Sequence, residues 1–309
     1  MGFLYWLEGI RTPWLNDVML AVTTFGEETA FLVLALIVFW CVDKYKGYYV
    51  LGVGLMGTLL SQFMKLLCRI PRPWALDEKF TIVEEAREAA AGYSFPSGHT
   101  QTAVGTFGAI AASTKCKAVI WACIAIAVLA GFSRMYLGVH TPADVLVGAA
   151  ISLVLIFALK PLMLGDNKKY IPWVFGAMLA LSAAFLAYVE LYPFPADLDA
   201  HNYESALKNA YTLIGCSAGV LATWFADEKK MHFDTKAVWW AQIIKVVLGL
   251  LVVLAVKEGM RAPLEAVFGN VLIARAVRYF LIVLAAGILW PLTFRYFGKL
   301  GNEKTEEAK

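Results

Sequence analysis

Charge is what this sequence has least of. Asp, Glu, Lys and Arg make up 17% of its 309 residues, against 60% for hydrophobic types. Soluble domains carry about 25% charged and roughly 45–50% apolar residues. A chain with this balance has too much apolar surface to remain in water as a globule, and it is too apolar to be disordered. The net charge is only +3 and the basic residues are spread along the chain, which excludes a nucleic-acid partner. Cysteines are few and odd in number. Cys41, Cys116, Cys123 and Cys216 lie in or beside apolar runs and Cys68 in a basic turn, so no disulfide framework is expected and the redox compartment stays open. No basic region precedes an apolar stretch with a small-residue cleavage site, so no removable signal peptide is expected. No internal repeat, linker, soluble domain or low-complexity tract breaks the pattern.

What is present is a series of apolar stretches between short polar connections. They fall near 24–42, 47–67, 98–114, 118–133, 142–163, 171–192, 205–225, 240–257 and 276–298. The expected fold is therefore all-α: a polytopic transmembrane helical bundle of about nine spans. Residues 1–23 mix Trp6, Trp14 and Leu15 with Glu8, Arg11, Pro13 and Asp17 and read as an interfacial segment. Residues 259–275 are too polar to span. The charged tail from Gly301 is expected to fray.

Lys and Arg set the orientation. With nine spans one face collects fourteen of them, among them Lys44, Lys46, Lys168, Lys169, Lys229 and Lys230. The other collects twelve, and Lys245 lies inside a span. Three of the twelve, Lys65, Arg72 and Arg134, belong to polar clusters with another task. The first face is thus the expected cytoplasmic one.

All three polar clusters fall on the opposite face. The first runs from Lys65 to Arg72-Pro73, the second is Pro96-Ser97-Gly98-His99, and the third is Ser133-Arg134 with His140 and Asp144. Each has an ordinary reading. Lys65 and Arg72, seven apart, share a helical face over two turns, and such cations often snorkel at a membrane boundary. Ser97 reads as a helix N-cap, and the N–H groups behind it also suit an anion. Thr141 and Asp144 have capping-box spacing, while Asp144 four residues after His140 can take the Nδ1 proton and leave Nε2 free. Only four histidines exist, and two lie in these clusters. Together the clusters suit a phosphoryl group: cations neutralise its oxygens, Ser97 and the Gly98 N–H add hydrogen bonds, and the two imidazoles supply a nucleophile and an acid. No Asp, Glu or His group has spacing for Mg²⁺ or Zn²⁺, so neither metal nor cofactor is expected.

Lys-x6-Arg-Pro, Pro-Ser-Gly-His and Ser-Arg-x5-His-x3-Asp resemble, without a departure, the three signature motifs of the type 2 phosphatidic acid phosphatase superfamily. The resemblance covers about residues 20–160. It implies a metal-independent membrane phosphatase in which His140 forms a phosphohistidine, Asp144 holds it, and His99 is the general acid. Lys65, Arg72, Ser97, Gly98 and Arg134 are implied to bind the phosphoryl oxygens. The chain then divides into the interfacial segment 1–23, a phosphatase core at 24–163 and further spans at 164–309. The layout of nine spans with a long C-terminal half is similar to sphingosine-phosphate phosphatases and glucose-6-phosphatases.

The expected substrate is a lipid phosphate or diphosphate of the phosphatidate, sphingosine phosphate or polyprenyl diphosphate class, reached from within the bilayer. The residues beside the motifs are mostly Leu, Val, Ala, Phe and Met, and supply little to recognise a sugar. A soluble phosphate ester of the glucose 6-phosphate type is the alternative, and a transporter with an anion site stands behind it. A bacterial plasma membrane or an organelle membrane is the expected location, with the site on the non-cytoplasmic face. The sequence leaves the oligomeric state open. His201 reads as an ordinary exposed loop histidine or a substrate gate, and the acidic loop 74–93 as a solvated loop or a lid.

Overall fold

The computed structural model describes residues 1–165, 168–195 and 198–300, whose regular elements are all helices, with no strand among the described residues. The helices are α1 (Gly2–Gly9), α2 (Pro13–Thr23), α3 (Glu28–Ile37), α4 (Lys44–Cys68), α5 (Pro73–Leu76), α6 (Gly98–Ala112) and α7 (Lys117–Tyr136). They continue as α8 (Pro142–Met163), α9 (Ile171–Leu191), α10 (Ala200–Ala226), α11 (Trp239–Gly259), α12 (Arg261–Phe268), α13 (Val271–Leu284) and α14 (Phe294–Phe297).

Local chemistry starts and stops them. Thr12 caps α2 ahead of Pro13, and Ser97 caps α6. Asn270 caps α13 through bonds from Leu272 N (2.8 Å) and Ile273 N (3.1 Å), and left-handed Gly269 closes α12.

Among the described residues, six helical stretches are long and apolar enough to cross a membrane. The bent pair Pro13–Gly26 and Glu28–Val42, which meet at 54°, makes a seventh if it is one span. The count of about nine is not reached by this measure, for two physical reasons. The stretch at 98–114 is α6, whose 15 residues rise only about 22 Å against a hydrocarbon core of about 30 Å. The stretch at 205–225 lies in α10, whose first turns carry His201, Asn202, Glu204, Lys208 and Asn209.

The chain divides into two compact units. The first comprises Met1–Leu32, Tyr49–Pro161 and Leu191–Ala206. Its centre is the α6–α7 hairpin with α8 beside it, where Tyr49 Oη donates to Ile156 O (2.8 Å) and Ser152 Oγ to Gln101 O (2.7 Å). A second cluster in this unit buries Leu4 and Leu7 of α1 against Phe80, Ile82 and Val83 of the loop after α5, and against Tyr136, Leu137 and Val139 after α7. The acidic loop is therefore not merely solvated. Glu78, Glu84, Glu85 and Glu88 are exposed while Phe80, Ile82, Val83, Ala86 and Ala90 are in the core.

The second unit comprises Val33–Tyr48, Leu162–Glu190 and the chain from Leu207 onward. Its core is aromatic: the Tyr48 ring packs on Phe39 (4.9 Å), Trp224 (5.4 Å) and Phe175 (5.8 Å). Lys44 Nζ pairs with the buried Asp227 (2.9 Å), and buried Lys245 donates to Thr235 O (2.9 Å). Buried cations in apolar surroundings need such partners.

Candidate active site

All three polar clusters lie in the first unit. The turn between α7 and α8 is their centre. Gly138 takes φ of +83°, where a side chain is strained, and a Cβ there would meet Arg11 Nη2 at 2.7 Å. Val139 N and His140 N then donate to Arg134 O (3.1 and 3.3 Å), which folds His140 back over the end of α7. At the start of α8, Thr141 N donates to Asp144 Oδ2 (2.8 Å) and Asp144 N to Thr141 Oγ1 (3.3 Å). This is a capping box with Asp in the usual Glu position. The same Oδ2 accepts from Ser94 Oγ (2.6 Å) and lies 3.5 Å from His140 Nδ1. One carboxylate oxygen thus has the geometry both of a cap and of a histidine partner.

The imidazole of His140 is buried. Arg72 Nη1 stands 2.9 Å from its Nε2. A guanidinium only donates, so Nε2 accepts and the ring proton lies on Nδ1, toward Asp144 and Ser94. Burial pushes this imidazole well below its ordinary range. Arg72, Arg134 and Lys65 push it the same way, and His99 adds the smallest contribution. His140 is accordingly neutral at pH 7, surrounded by cations.

Lys65 and Arg72 do not share a helix face, contrary to the expectation from their spacing. α4 ends at Cys68, Arg69 turns left-handed (φ 51°), and Pro71 and Pro73 prevent the helix from resuming before α5. The two cations meet instead on one loop. Arg72 donates to Ala91 O (2.9 Å), Gly92 O (3.0 Å) and Val139 O (3.0 Å), and Lys65 donates to Tyr93 O. Three successive carbonyls thereby hold both side chains beside His140.

Ser97 caps α6: its Oγ accepts from Thr100 Oγ1 (2.9 Å) and Thr100 N (3.4 Å), and its backbone N–H donates to Asp144 O (2.9 Å). That last bond joins the second cluster to the third. It requires Gly148 on α8, where a Cβ would stand 2.6 Å from Ser97 O. Gly98 opens the helix, and a Cβ built on it would meet nothing within 4 Å, which leaves room beside the positive helix end. Arg134 is fully buried and bonds Thr23 Oγ1 through Nη1 (2.8 Å). Its Nε and Nη2, and Nε2 of His99, are buried with no hydrogen-bond partner among the described residues. Arg134 acts on His140 through its charge.

Three contributors were not singled out from the sequence. Ser94 touches Asp144 and, at 3.5 Å, His140 Nδ1. No pattern marks it among the neighbouring serines. Thr23, the Arg134 partner, likewise carries no signal. Arg11 braces the central turn by donating to Tyr136 O (2.9 Å) and Thr81 O (2.8 Å). It does carry one: it is the lone Lys or Arg before Lys44. Among the described residues, no three His, Cys, Asp or Glu are grouped to hold a metal ion.

Residues 45–168, which contain every member of the three clusters, match the PAP2 superfamily. Residues 211–303 match the transmembrane extension of PAP2 superfamily phosphatases. Phosphatidylglycerophosphatase B of Bacillus subtilis is 33% identical over 160 residues, covering 49% of this chain and 76% of that protein. The chain belongs to the PAP2 superfamily. It is also similar to undecaprenyl-diphosphatase BcrC of Bacillus subtilis, at 28% identity over 145 residues, 46% of this chain and 72% of that protein. No solved structure matches it. As a member of this superfamily, with its apolar helices and the matched extension, the chain is a membrane-embedded phosphatase.

Proposed function

We propose that this phosphatase hydrolyses lipid phosphate or diphosphate esters through a phosphohistidine on His140. The observation that carries the reading is the geometry at that imidazole. Its Nδ1 lies 3.5 Å from Asp144 Oδ2 and its Nε2 2.9 Å from Arg72 Nη1, an arrangement that suits a neutral ring with its proton on Nδ1. Nε2 attacks phosphorus, the P–O bond to the lipid breaks, and His99 protonates the departing oxygen. Asp144, fixed by Ser94 and Thr141, stabilises the positive charge that develops on His140. Water then attacks the phosphohistidine, His99 takes its proton, and phosphate leaves. Lys65, Arg72, Arg134, Ser97 and the Gly98 N–H hold the non-bridging oxygens. The two unbonded donors of Arg134 support that role, because buried donors without partners favour an anion. None of these steps calls for a metal.

The lipid class is supported by the two relatives, a phosphatidylglycerophosphatase and an undecaprenyl-diphosphatase. It is supported too by the economy of leaving acyl or prenyl chains in the bilayer, at roughly 0.8 kcal/mol for each CH₂ not extracted. The site faces away from the cytoplasm of the plasma membrane, a placement that the distribution of Lys and Arg supports.

The test is phosphate release from lipid phosphates, lipid diphosphates and glucose 6-phosphate by detergent-purified protein, wild type and His140→Ala. The wild type should prefer a lipid and carry acid-labile, base-stable phosphate on a single histidine, and the variant should do neither. Undiminished turnover by His140→Ala refutes the mechanism, and a preference for the sugar phosphate refutes the substrate class.

A further inference from the structure

A cavity of about 880 Å³ lies beside His140, within the first unit. Its inner wall is Arg72, whose Nη1 is 2.9 Å from His140 Nε2. Its outer walls come from two separate stretches of chain. Arg69, Trp74 and Arg87 follow α4, and His201 lies on the first turn of α10. The groups assigned to the reacting phosphoryl at greater depth, Arg134, His99 and Gly98, do not line it. One phosphoryl group fills only a small part of such a volume, so the cavity receives what is attached to the scissile phosphate.

The character of the walls indicates what that is. The Trp74 ring lies 5.8 Å from Arg72 Cζ and 5.0 Å from Arg87 Cζ, so one indole packs against two guanidiniums. Glu84 takes Arg87 Nε (2.6 Å) and Nη2 (2.9 Å). That orients the fork and leaves Nη1 available. Arg69 adds a third guanidinium, and His201 an imidazole with a donor at either nitrogen according to tautomer. Glu88 and Asp199 also reach the cavity, so it is not uniformly positive. Three guanidiniums nevertheless line one cavity that begins beside the reacting histidine. A leaving group that is an uncharged alcohol would leave these cations facing an uncharged partner.

We propose that the cavity binds a second phosphate, carried by the leaving group of a lipid whose terminal phosphate is cleaved, with Arg69, Arg87 and His201 as its ligands. The inference rests on the reading of His140 as nucleophile. The atoms balance as for any ester: the His140 Nε2–P bond forms, the P–O bond to the leaving group breaks, and His99 supplies the proton. The lipid that departs still carries its own phosphate. That phosphate is joined either directly, as in a diphosphate, or through a short polyol, as a phosphodiester.

Three lipids with identical chains separate these sources: a monophosphate, a diphosphate, and a phosphodiester whose glycerol bears a terminal phosphate. The measurement is kcat/KM for each in mixed micelles, with wild type, Arg87→Gln and His201→Gln. The expected result is that the ratio of the better two-phosphate lipid to the monophosphate falls at least fivefold in one or both variants. The identity of that lipid gives the linkage. Turnover of the monophosphate in the same preparation reports that each variant is folded. A fall of less than fivefold in both variants overturns the inference, including a parallel loss on all three lipids. His140→Ala separates the two levels: if it is inactive while the ratios do not move, the second-phosphate site fails and the nucleophile stands.

Discussion

Asp144→Asn separates the two readings that one carboxylate satisfies. An amide has nearly the shape of a carboxylate, and its oxygen can accept from Thr141 N, Ser94 Oγ and His140 Nδ1 as Oδ2 does at 2.8, 2.6 and 3.5 Å. The cap and the fold of the turn should therefore survive, at a cost of about 1 kcal/mol in stability. What is lost is the negative charge beside an imidazole that becomes cationic as its Nε2 bonds phosphorus. At 3.5 Å and an effective dielectric of about 20, a unit pair is worth about 5 kcal/mol. The difference between a charge-assisted and a neutral hydrogen bond gives a lower bound of about 1 kcal/mol. The cations around His140 oppose the developing charge, which places the loss near the middle of this range, at about 3 kcal/mol, or roughly a hundredfold in rate. The assay is steady-state hydrolysis of a lipid phosphate in mixed micelles, with the unfolding midpoint measured on the same sample. kcat should fall roughly a hundredfold while KM changes about threefold or less, because the charge acts in the transition state. A kcat within about threefold of wild type, in a folded protein, would show that Asp144 serves only as a helix cap.

Arg11→Ala removes two bonds from a half-buried guanidinium to Tyr136 O and Thr81 O, and should destabilise the protein by about 2 kcal/mol; an unchanged unfolding midpoint in detergent refutes the brace. The pH dependence follows from His140, whose pKa lies below its unfolded value of about 6.5. The unfolded chain then binds the extra proton first as pH falls, so the stability contributed by the buried neutral ring is full above about pH 6.5 and lost below it. The acid limb of kcat/KM should likewise have its midpoint below pH 6.5, and a midpoint at or above that value contradicts the buried neutral imidazole. Sidedness can be read from native thiols, since Cys68 and Cys116 are both exposed and fall on opposite faces of the expected topology. In single-cysteine proteins in intact cells, an impermeant reagent should label Cys68 and spare Cys116, and the reverse pattern overturns the orientation.

The all-helical fold and the three clusters were legible because each has a local cause. Apolar runs of helical length, Ser97 before Gly98, and Pro142 at the head of α8 act within a few residues. The parts that were not legible depend on distant chain. The loop after α5 reads as solvated because Asp77, Glu78, Glu84, Glu85 and Glu88 dominate it. Phe80, Ile82, Val83, Ala86 and Ala90 follow no single period, yet they are buried against Leu4 and Leu7, more than seventy residues away. The role of Ser94 has the same origin, since its partner Asp144 is 50 residues downstream. Spacing misled in one place. Seven residues between Lys65 and Arg72 suggest a shared helix face, but Pro71 and Pro73 end that helix, and the side chains converge through the carbonyls of residues 91–93 instead.

Those carbonyls divide the donors of the site into two sets with different thermodynamics. Lys65 and Arg72 are already hydrogen-bonded, to Tyr93, Gly92, Ala91 and Val139, so a phosphoryl oxygen replaces a partner rather than supplying one. Their net gain in the ground state is small, and it grows as charge accumulates on the equatorial oxygens, which is the behaviour that raises kcat. Arg134 Nε and Nη2 and His99 Nε2 are buried without partners among the described residues, a state that costs roughly 1–3 kcal/mol for each group. An anion relieves that cost at once, so these donors contribute to affinity before any bond breaks. Thr23 fixes Arg134 through its third nitrogen, so that guanidinium does not have to reorganise to do so. The sequence separates the two sets as well: the engaged cations stand on the last turn of α4 and in the turn before α5, and the unengaged groups stand on the α6–α7 hairpin.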